Sequence, residues 1–76
     1  MRGLPIISGK DLCKILEKIG YNKDHQTGSH IILRNEKHPY RRLTVPNHKE
    51  IAKGTLRAII HQVGLSLDEF KKIVRI

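Results

Sequence analysis

The sequence of 76 residues contains a single cysteine, Cys13, and no long apolar run. One cysteine excludes an internal disulfide, and a transmembrane helix would need about 20 consecutive apolar residues. The opening stretch MRGLPIISGKD also lacks the apolar core of a secretory signal peptide. We therefore expect a cytoplasmic protein in which Cys13 is a half-buried small apolar residue and not a nucleophile.

The spacings typical of metal ligands are also absent. The histidines, at positions 25, 30, 38, 48 and 61, show neither H-x-H nor H-x-x-x-H spacing, and no cysteine pair joins them. We predict no metal site and no cofactor, because a chain of this size buries only about 60% of its unfolded surface and has little room for a deep cleft. We interpret His25 and His38 as solvated strand-edge or turn residues. We expect His61 on a helix surface and His48 in the loop before the second long helix.

The charge of the chain is strongly one-sided. Fifteen Lys and Arg against seven Asp and Glu give a formal net charge of +8, with 38% apolar residues. The apolar fraction favours a globular domain. The positive excess favours a polyanionic partner, nucleic acid before an anionic membrane or an acidic protein. A basic surface that serves solubility alone remains the simpler alternative.

Three helices are predicted from apolar spacing and capping signals. The first covers residues 8–20, with Ser8 as its cap and a stripe at i, i+3, i+4 and i+7 formed by Leu12, Ile15, Leu16 and Ile19. The second begins near residues 54–55 and ends at Gly64. Ser66 and Glu69 form a capping box that opens a short terminal helix.

Three strands are predicted between these helices. A weak polar strand covers residues 21–26 and is closed by a Thr27-Gly28 turn, a strong strand covers 29–35, and a third covers 41–45 before Pro46. The order is α-β-β-β-α with an extra C-terminal helix. It predicts one α+β domain over residues 1–76, in which a three-stranded antiparallel sheet carries the helices on one face.

Alternation along the central strand gives His30 a defined side. Residues two apart on a strand share a face, so His30 and Arg34 lie together. If Ile31, Leu33 and the apolar residues of the third strand pack against the helices, His30, Arg34 and Arg42 occupy the open face. The opposite choice would bury a histidine at a cost in free energy.

Histidine and arginine on an open basic surface suit one chemistry in particular. Histidine can act as a general base or acid near neutral pH, and guanidinium groups beside it donate to phosphate oxygens. We hypothesise RNA cleavage through the 2′-hydroxyl, whose proton His30 would take. A lone histidine in a strand is more often structural or solvated, and the leaving 5′-oxygen still needs a proton donor such as water or a lysine.

Basic residues gather in sequence around the third strand and the head of the second helix. With Arg34 they form the predicted RNA-binding set: Arg34, Arg41, Arg42, Lys49, Lys53 and Arg57. The backbone N–H groups at Gly54 and Thr55, where the second helix begins, are a candidate phosphate-binding site. The alternative is an ordinary solvated surface.

Three stretches resemble the HicA family, the small toxins of HicA–HicB toxin–antitoxin pairs. They are ISGKDLCKILEKIGY, GSH at residues 28–30, and TVPNHKEIAKGTLRAIIHQVGLSLDEF. The resemblance implies a double-stranded-RNA-binding-domain-like fold and a metal-independent mRNA interferase that arrests translation until a HicB-type antitoxin covers its site. It also implies that the histidine of GSH, here His30, is catalytic.

One departure from the family pattern affects the expected RNA contacts. Family members often carry a basic residue just before GSH and a more basic first strand, whereas this chain has DHQTGSH, with Asp24 and Thr27. We therefore expect the RNA contacts at Arg34, at Arg42 and at the basic residues around the head of the second helix. Two other classes of function stay open, a non-catalytic RNA-binding module and a protein-interaction domain whose basic surface meets an acidic partner.

Overall fold

The computed structural model describes residues 4–74 and contains three helices and three strands within that range. In chain order these are α1 Gly9–Glu17, β1 Tyr21–Thr27, β2 His30–Asn35, β3 Arg42–Pro46, α2 Lys53–Gln62 and α3 Leu67–Val74. The strands form one antiparallel sheet in the order β1-β2-β3. The predicted α+β fold is confirmed. Across residues 4–74, each helix is too short or too polar to cross a membrane.

The helices cover one face of the sheet, and the strand residues that point towards them form the core. In β2 and β3, buried and non-buried residues alternate, and the buried set is Ile31, Leu33, Leu43 and Val45. These side chains pack in one cluster with residues of the three helices: Leu12, Leu16, Leu56, Ile59, Ile60 and Phe70. The face predicted from alternation is therefore the buried one, because only that choice places aliphatic side chains against aliphatic helix stripes.

The predicted caps of α1 and α3 both form. The Ser8 hydroxyl accepts a hydrogen bond from the backbone N–H of Asp11 at 3.1 Å. At α3, the Glu69 N–H donates to the Ser66 hydroxyl at 3.1 Å, and the Ser66 N–H donates to the Glu69 carboxylate at 2.8 Å. These bonds lower the pKa of the Glu69 carboxyl, because they favour its charged form. Both α1 and α3 thus begin where a side chain accepts from one of the first N–H groups of the helix.

The turn between β1 and β2 lies one residue later than predicted. Thr27 still belongs to β1, and Gly28 and Ser29 are the two central residues of the turn. Gly28 has a φ of 56°, and a positive φ at the first central position is where a type II′ hairpin takes glycine. The tight turn brings His30 directly opposite Thr27.

The sheet has two ends, each named here after a residue of β2. The His30 end contains Thr27, His30 and Pro46, which face one another across the three strands, and the Arg34 end contains Asn22, Arg34 and Arg42. Backbone bonds fasten the loop of residues 47–52 at the His30 end. The Asn47 N–H donates to the Ser29 carbonyl at 2.6 Å, and the Gly9 N–H donates to the His48 carbonyl at 2.9 Å. The Ile51 N–H donates to the Ile7 carbonyl at 2.9 Å. The turn before His30, the start of α1 and the loop before α2 therefore meet at one junction.

Candidate active site on the open face of the sheet

His30 is the first residue of β2 and is exposed. Its neighbours on the adjacent strands are Thr27 and Pro46. Because Ile31 and Leu33 point to the core, alternation directs His30, Ile32 and Arg34 to the open face. The structure thus places the histidine where solvent and a large ligand can reach it.

Arg34 and Arg42 stand directly opposite each other on β2 and β3, and both are exposed. They lie at the Arg34 end. Arg34 is four positions after His30 along β2, which corresponds to about 13 Å at about 3.3 Å per residue. The expectation that guanidinium groups stand beside His30 is therefore corrected, since the strand carries them to the far end of the same face.

The other predicted RNA-binding residues are all exposed, but they do not form one cluster. Arg41 lies at the Arg34 end, in a shallow hollow that it lines together with Gln62. Lys49 and Lys53 lie at the His30 end, in the loop and at the first turn of α2. Arg57 follows one turn later on α2. Arg41 and Arg42 lie at the start of β3, whereas Lys49 and Lys53 follow its end, so the length of the strand separates the two pairs.

A β-bulge at Asp24 changes which side chains of β1 face the open side. The β1–β2 register shifts between Lys23 and His25, which leaves Asp24 without a partner on β2. Lys23 is opposite the buried Leu33, and its ammonium donates to the Gln26 side-chain oxygen at 3.2 Å on that same side. His25 is opposite Ile32, on the open face. Its ring Nδ1 lies 2.8 Å from the Asp24 carboxylate, so two consecutive residues meet on one face.

The Asp24 carboxylate interacts with His25 and with both arginines of the Arg34 end. The pKa of the Asp24 carboxyl is lowered, chiefly by the hydrogen bond with His25 and further by the positive charges of His25, Arg42 and Arg34, while desolvation opposes the shift. The carboxylate is therefore ionised at neutral pH. A row of polar side chains runs across the face from the arginine pair through Asp24 to His25.

Tyr40 is a surface residue that sequence reasoning missed. Its side chain is 47% exposed, and the Arg34 guanidinium carbon lies 5.3 Å from the centre of its ring. The His38 ring meets it edge-on, with centroids 5.6 Å apart. Its φ of 60° is uncommon for a residue with a side chain. The signal in the sequence was an aromatic residue directly before Arg41 and Arg42, since aromatic rings among cations are typical of surfaces on which nucleobases stack.

The remaining ionisable candidates lie away from this face. Cys13 is half-buried, and burial is the largest cause that raises the pKa of its thiol, with the Glu17 carboxylate adding to it. A raised thiol pKa means little thiolate, which agrees with the interpretation of Cys13 as a packing residue. Within residues 4–74, no group of three His, Cys, Asp or Glu side chains converges as metal ligands would.

Comparison with known protein families identifies the chain. The family model described as the HicA toxin of bacterial toxin–antitoxin systems matches residues 9–65. The match covers most of the chain and runs from the start of α1 past the end of α2. No curated protein sequence matches. The protein therefore belongs to the HicA toxin family of bacterial toxin–antitoxin systems, which implies a cognate antitoxin as its partner.

Proposed function

We propose that this toxin is a metal-independent endoribonuclease, an mRNA interferase that arrests translation by cutting mRNA. The observation that carries the proposal is the exposed His30 on the open face of the sheet. Family membership supplies the toxin role, and the net charge of +8 favours a polyanionic target. A histidine on an accessible basic face combines a proton acceptor with a surface that attracts RNA.

The proposed reaction uses the RNA's own 2′-hydroxyl as the nucleophile. A ring nitrogen of His30 accepts the hydroxyl proton as the oxygen attacks the adjacent phosphorus. The bond from the 2′-oxygen to phosphorus forms, and the bond from phosphorus to the 5′-oxygen breaks. The products are a 2′,3′-cyclic phosphate and a 5′-hydroxyl end. DNA has no 2′-hydroxyl and is not a substrate.

The open face offers contacts for an RNA strand at both ends of β2. Arg34 and Arg42 donate to phosphate oxygens at one end, where Tyr40 offers an aromatic ring for an unstacked base. Lys49 and Lys53 contribute positive charge at the His30 end. Because the two ends are about 13 Å apart along β2, a bound strand meets them at different nucleotides. We propose that the arginine end holds the RNA while the His30 end cuts it.

The direct test is cleavage by the purified toxin in excess EDTA. A single-stranded RNA and a DNA of the same sequence are incubated with the protein, and the ends of the products are analysed. We expect cut RNA with 2′,3′-cyclic phosphate ends and intact DNA. Intact RNA under all conditions, or cleavage only after a divalent metal is added, would contradict the proposal. Expression in a host should likewise give growth arrest together with loss of transcripts.

The alternative is a non-catalytic RNA-binding module of the same fold. The Arg34–Tyr40 contact favours it, because this pair can hold RNA at a distance from His30 without any chemistry. The cleavage assay separates the two functions, since the alternative predicts RNA that is bound but stays intact.

The arginine pair should determine how RNA affinity depends on salt. Each phosphate contact contributes about 0.7 to the slope of log affinity against log salt concentration for single strands. Arg34→Ala and Arg42→Ala should each reduce the magnitude of that slope by about 0.7 and weaken binding. Lys72→Ala is the matched control, because Lys72 is an exposed cation on α3, away from the open face. An equal reduction in the control would assign the effect to net charge alone.

A further inference from the structure

We propose that His25 is the second acid–base group of the same cut, donating a proton to the leaving 5′-oxygen, and that Asp24 is the positioning residue that orients its ring. The inference rests on the proposed ribonuclease function and completes it. His30 can accept only the first proton, whereas an alkoxide leaving group also needs a donor.

The strand register brings the two histidines to one face. His30 is opposite Thr27, and His25 lies two residues before Thr27 on the same strand. Such diagonal positions on neighbouring strands are about 7–8 Å apart, within reach of long and aromatic side chains. A phosphate group bound over the His30 end therefore lies between two imidazole rings. One ring can serve the attacking oxygen and the other the leaving oxygen.

The bulge makes this arrangement possible. In a regular strand, Asp24 and His25 would point to opposite faces. With Asp24 unpaired, the carboxylate and the imidazole meet at 2.8 Å on the open face. A carboxylate on Nδ1 fixes the orientation of a histidine ring and leaves Nε2 to meet a ligand. The bulge thus has a chemical use, in keeping with the frequency of bulges beside active sites.

The lowered pKa of Asp24 supports the orienting role. The hydrogen bond with His25 is the largest cause of the lowered pKa, so the charged form of Asp24 is the form that this contact favours.

The proton balance of the complete step is closed. His30 takes the proton of the 2′-hydroxyl, the bond from the 2′-oxygen to phosphorus forms, and the bond from phosphorus to the 5′-oxygen breaks. The leaving oxygen receives its proton from Nε2 of protonated His25. The step ends with protonated His30 and neutral His25, and proton exchange with water restores both. The step consumes no oxidant or reductant.

The three other histidines have different surroundings. His38 lies against Tyr40 at the Arg34 end, and His61 lies on α2 in the helix layer. His48 is in the loop at the His30 end, where its carbonyl accepts from the Gly9 N–H. It is therefore the alternative candidate for the general acid. The test therefore compares His25 with His48 directly.

The test uses an RNA in which sulfur replaces the bridging 5′-oxygen at the linkage that the wild type cuts. A thiolate leaves without protonation, so loss of a general acid slows the oxygen substrate and spares the sulfur substrate. We expect His25→Ala to be about 10²–10⁴-fold slower on oxygen RNA and within about tenfold of wild type on sulfur RNA. His30→Ala should be slow on both substrates. Asp24→Asn should show a smaller loss with the same rescue.

A pH profile adds a readout that a purely structural role would not change. The wild type should lose activity at high pH as its acid deprotonates, and His25→Ala should lack that limb. The charged and titratable groups that face His25 are Asp24 on its own strand, His30 and Arg34 on β2, and Arg42 on β3. His30→Ala should lack the limb at low pH, because its base is gone, so the two single variants assign one limb each.

The outcomes separate this inference from the function on which it rests. If the wild type cuts RNA and His25→Ala cuts the oxygen substrate equally fast, His25 is not the acid, although the ribonuclease function stands. Equal slowing on both substrates, or sulfur rescue in His48→Ala instead, also overturns the inference. If the wild type cuts no RNA, the proposed function fails and this inference with it. His61→Ala removes a histidine from α2 and should match the wild type.

Discussion

His30→Ala is expected to abolish growth arrest and to slow RNA cleavage by about 10²–10⁴-fold, the usual contribution of a general base. This loss corresponds to about 3–5 kcal/mol of transition-state stabilisation, since each tenfold change is about 1.36 kcal/mol. The effect should appear in the rate and not in the fold, because His30 is exposed and lies on the face away from the core. Cleavage rates and growth curves on induction measure it.

The controls for this variant separate chemistry from binding. RNA affinity should change little in His30→Ala, because Arg34, Arg42 and Tyr40 lie at the far end of the face. His61→Ala loses the same side chain from α2 and should remain toxic. A His30→Ala protein that arrests growth or cuts RNA like the wild type would show that another group accepts the 2′-hydroxyl proton.

The parts of the fold that the sequence predicted are those fixed by short-range patterns. Alternation identified Ile31 and Leu33 as core, because each strand residue has its face set by its immediate neighbours. The Ser66–Glu69 box was predicted for the same reason, since its two hydrogen bonds join residues three apart. His30 on the open face follows directly from the alternation.

The features that the sequence did not predict depend on pairing between strands. Nothing in DHQT marks Asp24 as a bulge, because its polar residues show no alternation that an extra residue would interrupt. His25 is exposed on the edge strand β1, as interpreted, but its contact with Asp24 on the open face was not predicted. The prediction of one basic cluster, which was based on proximity in the sequence, also failed. Arg42 and Lys49 are seven positions apart, yet β3 carries them to opposite ends of the sheet.

The second large effect is expected at Gly9, the first residue of α1. A Cβ atom built there would overlap the carbonyl oxygen of Pro46 and press on Asn47, and the Gly9 N–H donates to His48 in the same junction at 2.9 Å. Gly9→Ala should therefore lower the free energy of unfolding by about 3 kcal/mol, the upper part of the range for overpacking. That is a large share of the total of about 5–15 kcal/mol for a domain. Urea denaturation measures the loss.

Gly54→Ala is the matched control, because a Cβ atom there meets nothing within 4 Å. Its position in the first turn of α2 should make alanine neutral or stabilising by up to about 1 kcal/mol. Equal stability of the two variants would show that α1 does not approach the Pro46 loop as closely as the structure indicates. The contact also bears on activity, since Pro46 is directly opposite His30 and Asn47 donates to Ser29. Gly9→Ala should therefore slow cleavage even where the protein remains folded, because a small displacement of a catalytic group is costly.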